Sequence, residues 1–183
     1  MIDFAKAYFL LFCSCFLAAT GSVGQTADSS CKVEIYLLKH PVYHEPIGYF
    51  CPTKAELADT PLVCDREILE YEISQNTDTI YRFMTSISVS ERLEKSIKYF
   101  PMQGFPFAVV VNGTPVYGAY FWSNWSSFSC DWITAYASGS EMDMGSSTGI
   151  YLHHNCFSLL HQDPRQSSAL IDCLKRTNRL KYK

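Results

Sequence analysis

The chain has 183 residues, of which 48% are hydrophobic and 18% charged, and its formal net charge at pH 7 is -3. A slightly acidic chain with so few charges lacks the basic surface of a nucleic-acid-binding protein, so no nucleic-acid partner is expected. Its length suits a single domain with its own hydrophobic core.

The N-terminus predicts an export signal. Lys6 precedes an unbroken run of apolar and small residues from Ala7 to Ala19, which is typical of a signal peptide and too short to span a bilayer. We expect residues 1–24 to be a signal peptide cleaved after Gly24. Residues 25–183 would then form one exported domain, secreted or periplasmic, with no transmembrane segment.

A lipid anchor is the alternative interpretation of the N-terminus. Ser14 precedes Cys15, and a cysteine after a small residue is what a lipoprotein signal presents. The apolar run continues past this cysteine, which favours ordinary cleavage.

The first half of the chain predicts strands joined by an irregular segment. Residues from Lys32 to Leu38 are rich in β-branched and aromatic types and predict a strand. A Pro- and Gly-containing surface connection follows, up to Pro61. Asp65 is expected to cap one helical turn before a strand from Leu69 to Ser74, and a strand from Thr79 to Ile87 completes a hairpin.

A helix is expected next, because Ser88 and Glu91 have the spacing of a capping box and Pro101 can end the helix. The apolar run from Phe105 to Val111 then leads into Asn112-Gly113, the dipeptide typical of a tight hairpin turn.

The last third predicts fewer elements. An aromatic stretch leads into a Ser/Gly-rich loop over 137–149, and a short strand is expected from Gly149 to His153. Asp163-Pro164 is the start signal of a terminal helix that ends at Thr177-Asn178. This order predicts an α+β fold, an antiparallel sheet with two helices packed on one face.

Four segments together resemble the periplasmic head domain of the SecD and SecDF translocon subunits. They are IYLLK (Ile35 to Lys39), TPLVCDREI (Thr60 to Ile68), SERLEK (Ser90 to Lys95) and FAVVVNGTPVYGAYF (Phe107 to Phe121). The resemblance implies a ferredoxin-like or related split α+β fold, as in small exported bacterial proteins. It implies no translocase activity, because membrane helices do that work in the family.

Six cysteines follow the leader, and an even number in an exported chain favours disulfides. The candidates are Cys31, Cys51, Cys64, Cys130, Cys156 and Cys173. Two or three disulfides are expected, and one between Cys51 and Cys64 would close the irregular segment. Free buried thiols are the alternative, whereas no pair has the short spacing of a zinc site.

Aromatic residues supply the candidate binding site. Exposed rings can stack on sugars or on peptide side chains. The candidates are Tyr117, Tyr120, Trp122 and Trp125. Trp122 and Trp125 are expected to be exposed, although alternate rings of a strand would face the core.

Catalytic and metal chemistry has weaker support in the sequence. His153, His154 and His161 lie near Asp163, but adjacent histidines on a strand point to opposite faces, so no metal or other cofactor is expected. Cys130 could act as a nucleophile with one of these histidines only if its pKa were lowered.

Two functions remain open. The leading hypothesis is an exported, non-catalytic domain that binds or scaffolds a protein or glycan partner at the cell envelope. The alternative is a small exported hydrolase or thiol/redox protein that uses Cys130 or the histidines.

Overall fold

A computed structural model describes residues 31–40, 50–74, 80–97, 104–122, 130–137, 148–154 and 163–183. The described strands are β1 (Val33–Leu37), β2 (Ile68–Ser74), β3 (Ile80–Thr85), β4 (Phe105–Val111), β5 (Thr114–Phe121), β6 (Ile133–Ala137), β7 (Gly149–His154) and β8 (Leu180–Tyr182). The described helices are α1 (Val89–Ser96), α2 (Ser168–Arg176) and the 3-10 helices Lys54–Glu56, Asp65–Glu67 and Pro164–Gln166.

The eight strands form one sheet that curls into a half-barrel, in the order β1-β4-β5-β6-β7-β3-β2-β8. The sheet is mixed, because β5 pairs with β6 and β2 pairs with β8 in parallel. The expected ferredoxin-like fold, an antiparallel sheet with two helices on one face, is therefore wrong. The coarser expectation of a chain that mixes helices and strands is confirmed.

Several local predictions are confirmed. The β2–β3 hairpin is antiparallel, and the β4–β5 hairpin turns at Asn112 and Gly113, whose φ angles are 50° and 75°. Both angles are positive, as a tight primed turn requires. Ser88 caps α1 by accepting a hydrogen bond from the backbone N–H of Glu91 at 3.4 Å.

The prediction that Asp65 caps a helical turn is wrong. The residue that precedes the 3-10 helix Asp65–Glu67 is Cys64, whereas the carboxylate of Asp65 reaches across the molecule. Its Oδ1 accepts hydrogen bonds at 2.7 Å from the N–H of Val33 and from the guanidinium of Arg179. Asp65 therefore ties β1 to the segment between α2 and β8.

The inner face of the curled sheet carries the main core. Because side chains alternate along a strand, one set of register-matched residues from every described strand points inward. Its fully buried members include Val33, Ile35, Tyr71, Phe83, Phe107, Val109, Tyr117, Ala119, Ile133, Ala135 and Ile150. α2 contacts β1, β4 and β8 and adds Leu170 and Leu174 to this core, which brings the two ends of the sheet together.

A charged side chain lies within the inner core. Arg165 is 1% exposed and pairs with Asp163, with Nη2 2.7 Å from Oδ2. It also donates to the carbonyl oxygen of Leu152 at 3.0 Å, and its guanidinium lies 4.1 Å from the ring centroid of Tyr81. Because these contacts replace water around the charge, Arg165 can stay buried among apolar residues of the core.

A second apolar layer covers part of the outer face. The ring of Phe50 lies over Gly118, where a Cβ would come within 2.3 Å of it. Phe50 packs against Tyr120 at 5.0 Å, and Tyr120 packs edge-on against Trp122 at 6.4 Å between ring centroids. The indole N–H of Trp132 donates to the carbonyl oxygen of Gly118 at 2.7 Å, so this layer is held from both sides.

The cysteines follow the expectation in part. Cys31 and Cys173 lie at disulfide-bonding distance, with their Cα atoms 5.6 Å apart, and join the segment that precedes β1 to α2. Cys51 and Cys64 are free, so the expected bond between them is wrong. Cys156 lies outside the described residues.

The expected signal peptide, residues 1–24, and the possible anchor at Cys15 also lie outside the described residues. Among the helices that are described, none combines the length and the apolar character needed to cross a membrane.

Candidate binding surface

The three described residues of the predicted aromatic site are buried and form no exposed platform. Tyr117 is fully buried on the inner face, and Tyr120 is fully buried on the outer face beneath Phe50. Trp122 is 8% exposed, so the exposure expected of this ring is wrong. Trp125 lies outside the described residues.

The cysteine thiols do not meet the requirement for a nucleophile. Burial raises the pKa of Cys130 to about 11, with a further contribution from the carboxylate of Asp131. Burial and a hydrogen bond to Glu67 raise the pKa of Cys64, and partial desolvation raises that of the exposed Cys51. A reactive thiol needs a lowered pKa, so the structure gives the thiol hypothesis no support at these three positions.

The histidines do not gather around a metal site in the described part of the chain, where no group of three potential ligands occurs. His153 lies on the outer face, opposite Thr134 of β6. The side chain of His154 and all of His161 lie outside what the structure describes.

A different set of side chains lines up across the outer face. Register places Tyr136 of β6 opposite Tyr151 of β7, and Tyr151 opposite Arg82 of β3. The same line continues through Glu72 of β2 to Lys181 of β8. We call these five residues the tyrosine row, and its five strands span about 19 Å at the usual strand spacing.

The ring of Tyr151 lies close to the surface of the sheet because Gly149 has no side chain in its way. A Cβ on Gly149 would lie 3.2 Å from this ring, so glycine allows the close approach. Arg82 donates to the Tyr151 hydroxyl at 2.8 Å, and its guanidinium carbon lies 5.1 Å from the ring centroid. Tyr151 is therefore a partly exposed ring held in one orientation.

The charged half of the row is held by its own ion pairs. Two guanidinium nitrogens of Arg82 donate to Oε2 of Glu72, and the ammonium of Lys183 donates to Oε1. Burial alone would raise the pKa of Glu72, but these hydrogen bonds outweigh it and lower the pKa. Glu72 is therefore ionised at neutral pH and fixes the orientation of Arg82.

The aromatic half of the row continues to His153. Its imidazole packs edge-on against Tyr136, with 5.3 Å between ring centroids. Burial around the imidazole, together with the positive charge of Arg165, lowers the pKa of His153, so the ring is neutral at pH 7 and can both donate and accept a hydrogen bond. The hydroxyl of Thr134, opposite His153, is buried and has no hydrogen-bond partner among the described residues.

The sequence analysis did not identify this surface. Its five residues come from five strands, and two of those strands, β6 and β8, were not predicted. One local signal was present: Tyr151 lies between the buried residues Ile150 and Leu152, the alternation of a strand with one face outward.

No protein-family model, curated protein or solved structure matches this chain. The resemblance to the SecD head domains therefore stays a prediction, and the argument about function depends on the geometry of the chain itself.

Proposed function

We propose that this protein is a non-catalytic binding domain that acts outside the cytoplasm and recognises a neutral glycan through the tyrosine row and His153. The observation that carries the proposal is the ring of Tyr151, which lies along the outer face over Gly149 and is held there by Arg82. A sugar ring can stack on such a surface, since aromatic side chains combine a large apolar area with a fixed geometry.

The neighbours of Tyr151 suit the polar groups of a sugar. Arg82 and Glu72 already hold each other in place, so little side-chain entropy is lost when a ligand hydroxyl binds beside them. The row has one carboxylate between two cationic side chains, and His153 is neutral, which favours neutral saccharides over strongly charged polymers.

The extracytoplasmic location is supported by the pair Cys31 and Cys173, whose sulfur atoms lie at disulfide-bonding distance. Disulfides persist in oxidising compartments and are rare in the cytosol. The expected signal peptide, residues 1–24, agrees with this location.

The test is calorimetric titration with neutral tetrasaccharides of different linkage: cellulose-type, chitin-type, laminarin-type and starch-type. We expect at least one to bind, and Tyr151→Ala to weaken that binding by roughly 3- to 10-fold, the worth of one aromatic contact. Tyr136→Ala should have a similar effect, whereas Tyr151→Phe, which keeps the ring, should retain most of the affinity.

Tyr182→Ala is the matched control, because Tyr182 is 61% exposed and lies outside the row. Equal losses in Tyr151→Ala and Tyr182→Ala would contradict the proposed site. The absence of wild-type binding to all four saccharides at millimolar concentration would overturn the proposed function.

A further inference from the structure

A second surface lies at the end of the sheet. β8 is the last strand in the sheet order, and β2 is its neighbour. The N–H of Tyr71 donates to the carbonyl oxygen of Arg179 at 2.8 Å, and the N–H of Lys183 donates to that of Ile73 at 3.0 Å. Because backbone groups alternate sides along a strand, the N–H and C=O groups of Leu180 and Tyr182 point away from β2.

The opposite end of the sheet is protected. At the edge of β1 that faces away from β4, Ile35 and Val63 exchange two backbone hydrogen bonds of 2.9 and 3.1 Å. Lys39 donates to Glu56 at 2.8 Å, and Ala58 donates to Leu37 at 2.9 Å. These contacts cover the edge as natural proteins commonly do, so β8 is the open edge of the described sheet.

The surroundings of β8 are basic. Five of the nine residues from Lys175 to Lys183 are lysine or arginine. Arg179 pairs with Asp65, and Lys183 pairs with Glu72. Lys175 and Lys181 are exposed and form no ion pair with the described residues.

We propose that the β8 edge accepts an extended acidic segment of a protein partner, which adds to the sheet as a ninth strand. Backbone hydrogen bonds to Leu180 and Tyr182 would supply the pairing, as in other cases of strand addition. Carboxylates of the segment would lie beside Lys181, and the exposed ring of Tyr182 would cover one of its apolar side chains.

Charge decides between this partner and a second copy of the chain. If two β8 strands paired, the lysines of one strand would lie close to those of the other, and like charges across a strand pair are destabilising. An acidic segment instead brings opposite charges together. The occupant is therefore a strand of another protein.

The test uses a fluorescein-labelled peptide of alternating glutamate and valine, followed by fluorescence anisotropy with the full chain. We expect saturable binding that weakens as salt is added, because exposed charge pairs are screened. A peptide of alternating lysine and valine should bind at least about tenfold more weakly.

Variants at one position separate backbone pairing from loss of the side chain. Tyr182→Pro removes the outward N–H, and proline is tolerated at such an edge position, whereas Tyr182→Ala keeps the N–H. We expect Tyr182→Pro to bind the acidic peptide at least about tenfold more weakly than Tyr182→Ala. Thermal unfolding should show that both variants remain folded.

Three results would overturn the proposal: equal binding of the two peptides, equal binding by Tyr182→Pro and Tyr182→Ala, or a concentration-dependent dimer in sedimentation that Tyr182→Pro abolishes. Lys181 belongs to both surfaces, but the Tyr182 variants separate this proposal from glycan binding, because Tyr182 is not part of the tyrosine row. Saccharide affinity should therefore be unchanged in Tyr182→Pro.

Discussion

At the scale of single residues, Glu67 is the clearest titrating contributor to stability. Both of its carboxylate oxygens accept from Arg92, at 2.6 and 2.8 Å, and one accepts from the N–H of Cys64 at 3.0 Å. The hydrogen bonds from Arg92 are the largest cause of a lowered pKa, about 2 compared with an ordinary value of 4.5.

Acid should therefore weaken the fold through Glu67. The stabilisation is fully present above the unfolded pKa and is lost as the pH falls from about 4.5 to about 2. Arg92 is 39% exposed, so solvent screening reduces the contribution to about 1–2 kcal/mol. Urea unfolding across this pH range should show a steeper loss of stability in the wild type than in Glu67→Gln. Parallel curves for the two proteins would contradict this assignment.

Close packing at one residue governs the outer layer. Gly118→Ala should destabilise the protein by about 1–3 kcal/mol, the usual cost of overpacking, because the new Cβ would come within 2.3 Å of the ring of Phe50. Chemical denaturation of the single variants and of Gly118→Ala/Phe50→Ala measures the coupling. In the double variant the cost of the added methyl group should largely disappear; an unchanged cost would show that the ring is not the obstacle.

At the scale of elements, prediction from sequence succeeded where an element depends on neighbours along the chain. The turn at Asn112-Gly113 and the cap at Ser88 are local signals, and both the hairpin and the helix begin where expected. The two missed strands differ: β8 depends on a distant partner, β2, whereas β6 pairs with its chain neighbours β5 and β7, each across a long connection. A three-residue basic segment such as β8 carries no strand pattern of its own.

The same distinction explains the candidate binding surface. The sequence pointed to aromatic residues of β5, but that strand is central and has a covering layer on each face, so its rings are core. Tyr136 and Tyr151 lie on strands whose outer face is partly open. Which faces of a strand are covered depends on the whole sheet order, and no local pattern contains that information.

At the scale of the whole molecule, the bond between Cys31 and Cys173 links residues 142 positions apart. Closing so long a loop restricts the unfolded chain, so loss of the bond should cost roughly 2–5 kcal/mol of stability. Guanidinium unfolding of Cys31→Ser/Cys173→Ser measures this cost. Cys51→Ser is the matched control, because Cys51 is exposed and forms no disulfide. Equal stability of the double variant and the wild type would contradict the expectation.

The sheet order also sets the sequence of events during synthesis. The neighbouring pairs β2–β3, β4–β5, β5–β6 and β6–β7 are each close in the chain and can form early, but the pairs β1–β4, β3–β7 and β2–β8 join distant segments. The edge of β2 that pairs with β8 and the edge of β3 that pairs with β7 have no partner until those later strands are synthesised. Both edges therefore stay exposed until nearly the whole described chain has emerged from the ribosome. Topologies dominated by distant pairing fold slowly and expose strand edges to aggregation. A nascent chain of this protein would therefore depend on chaperones for longer than a helical protein of equal length.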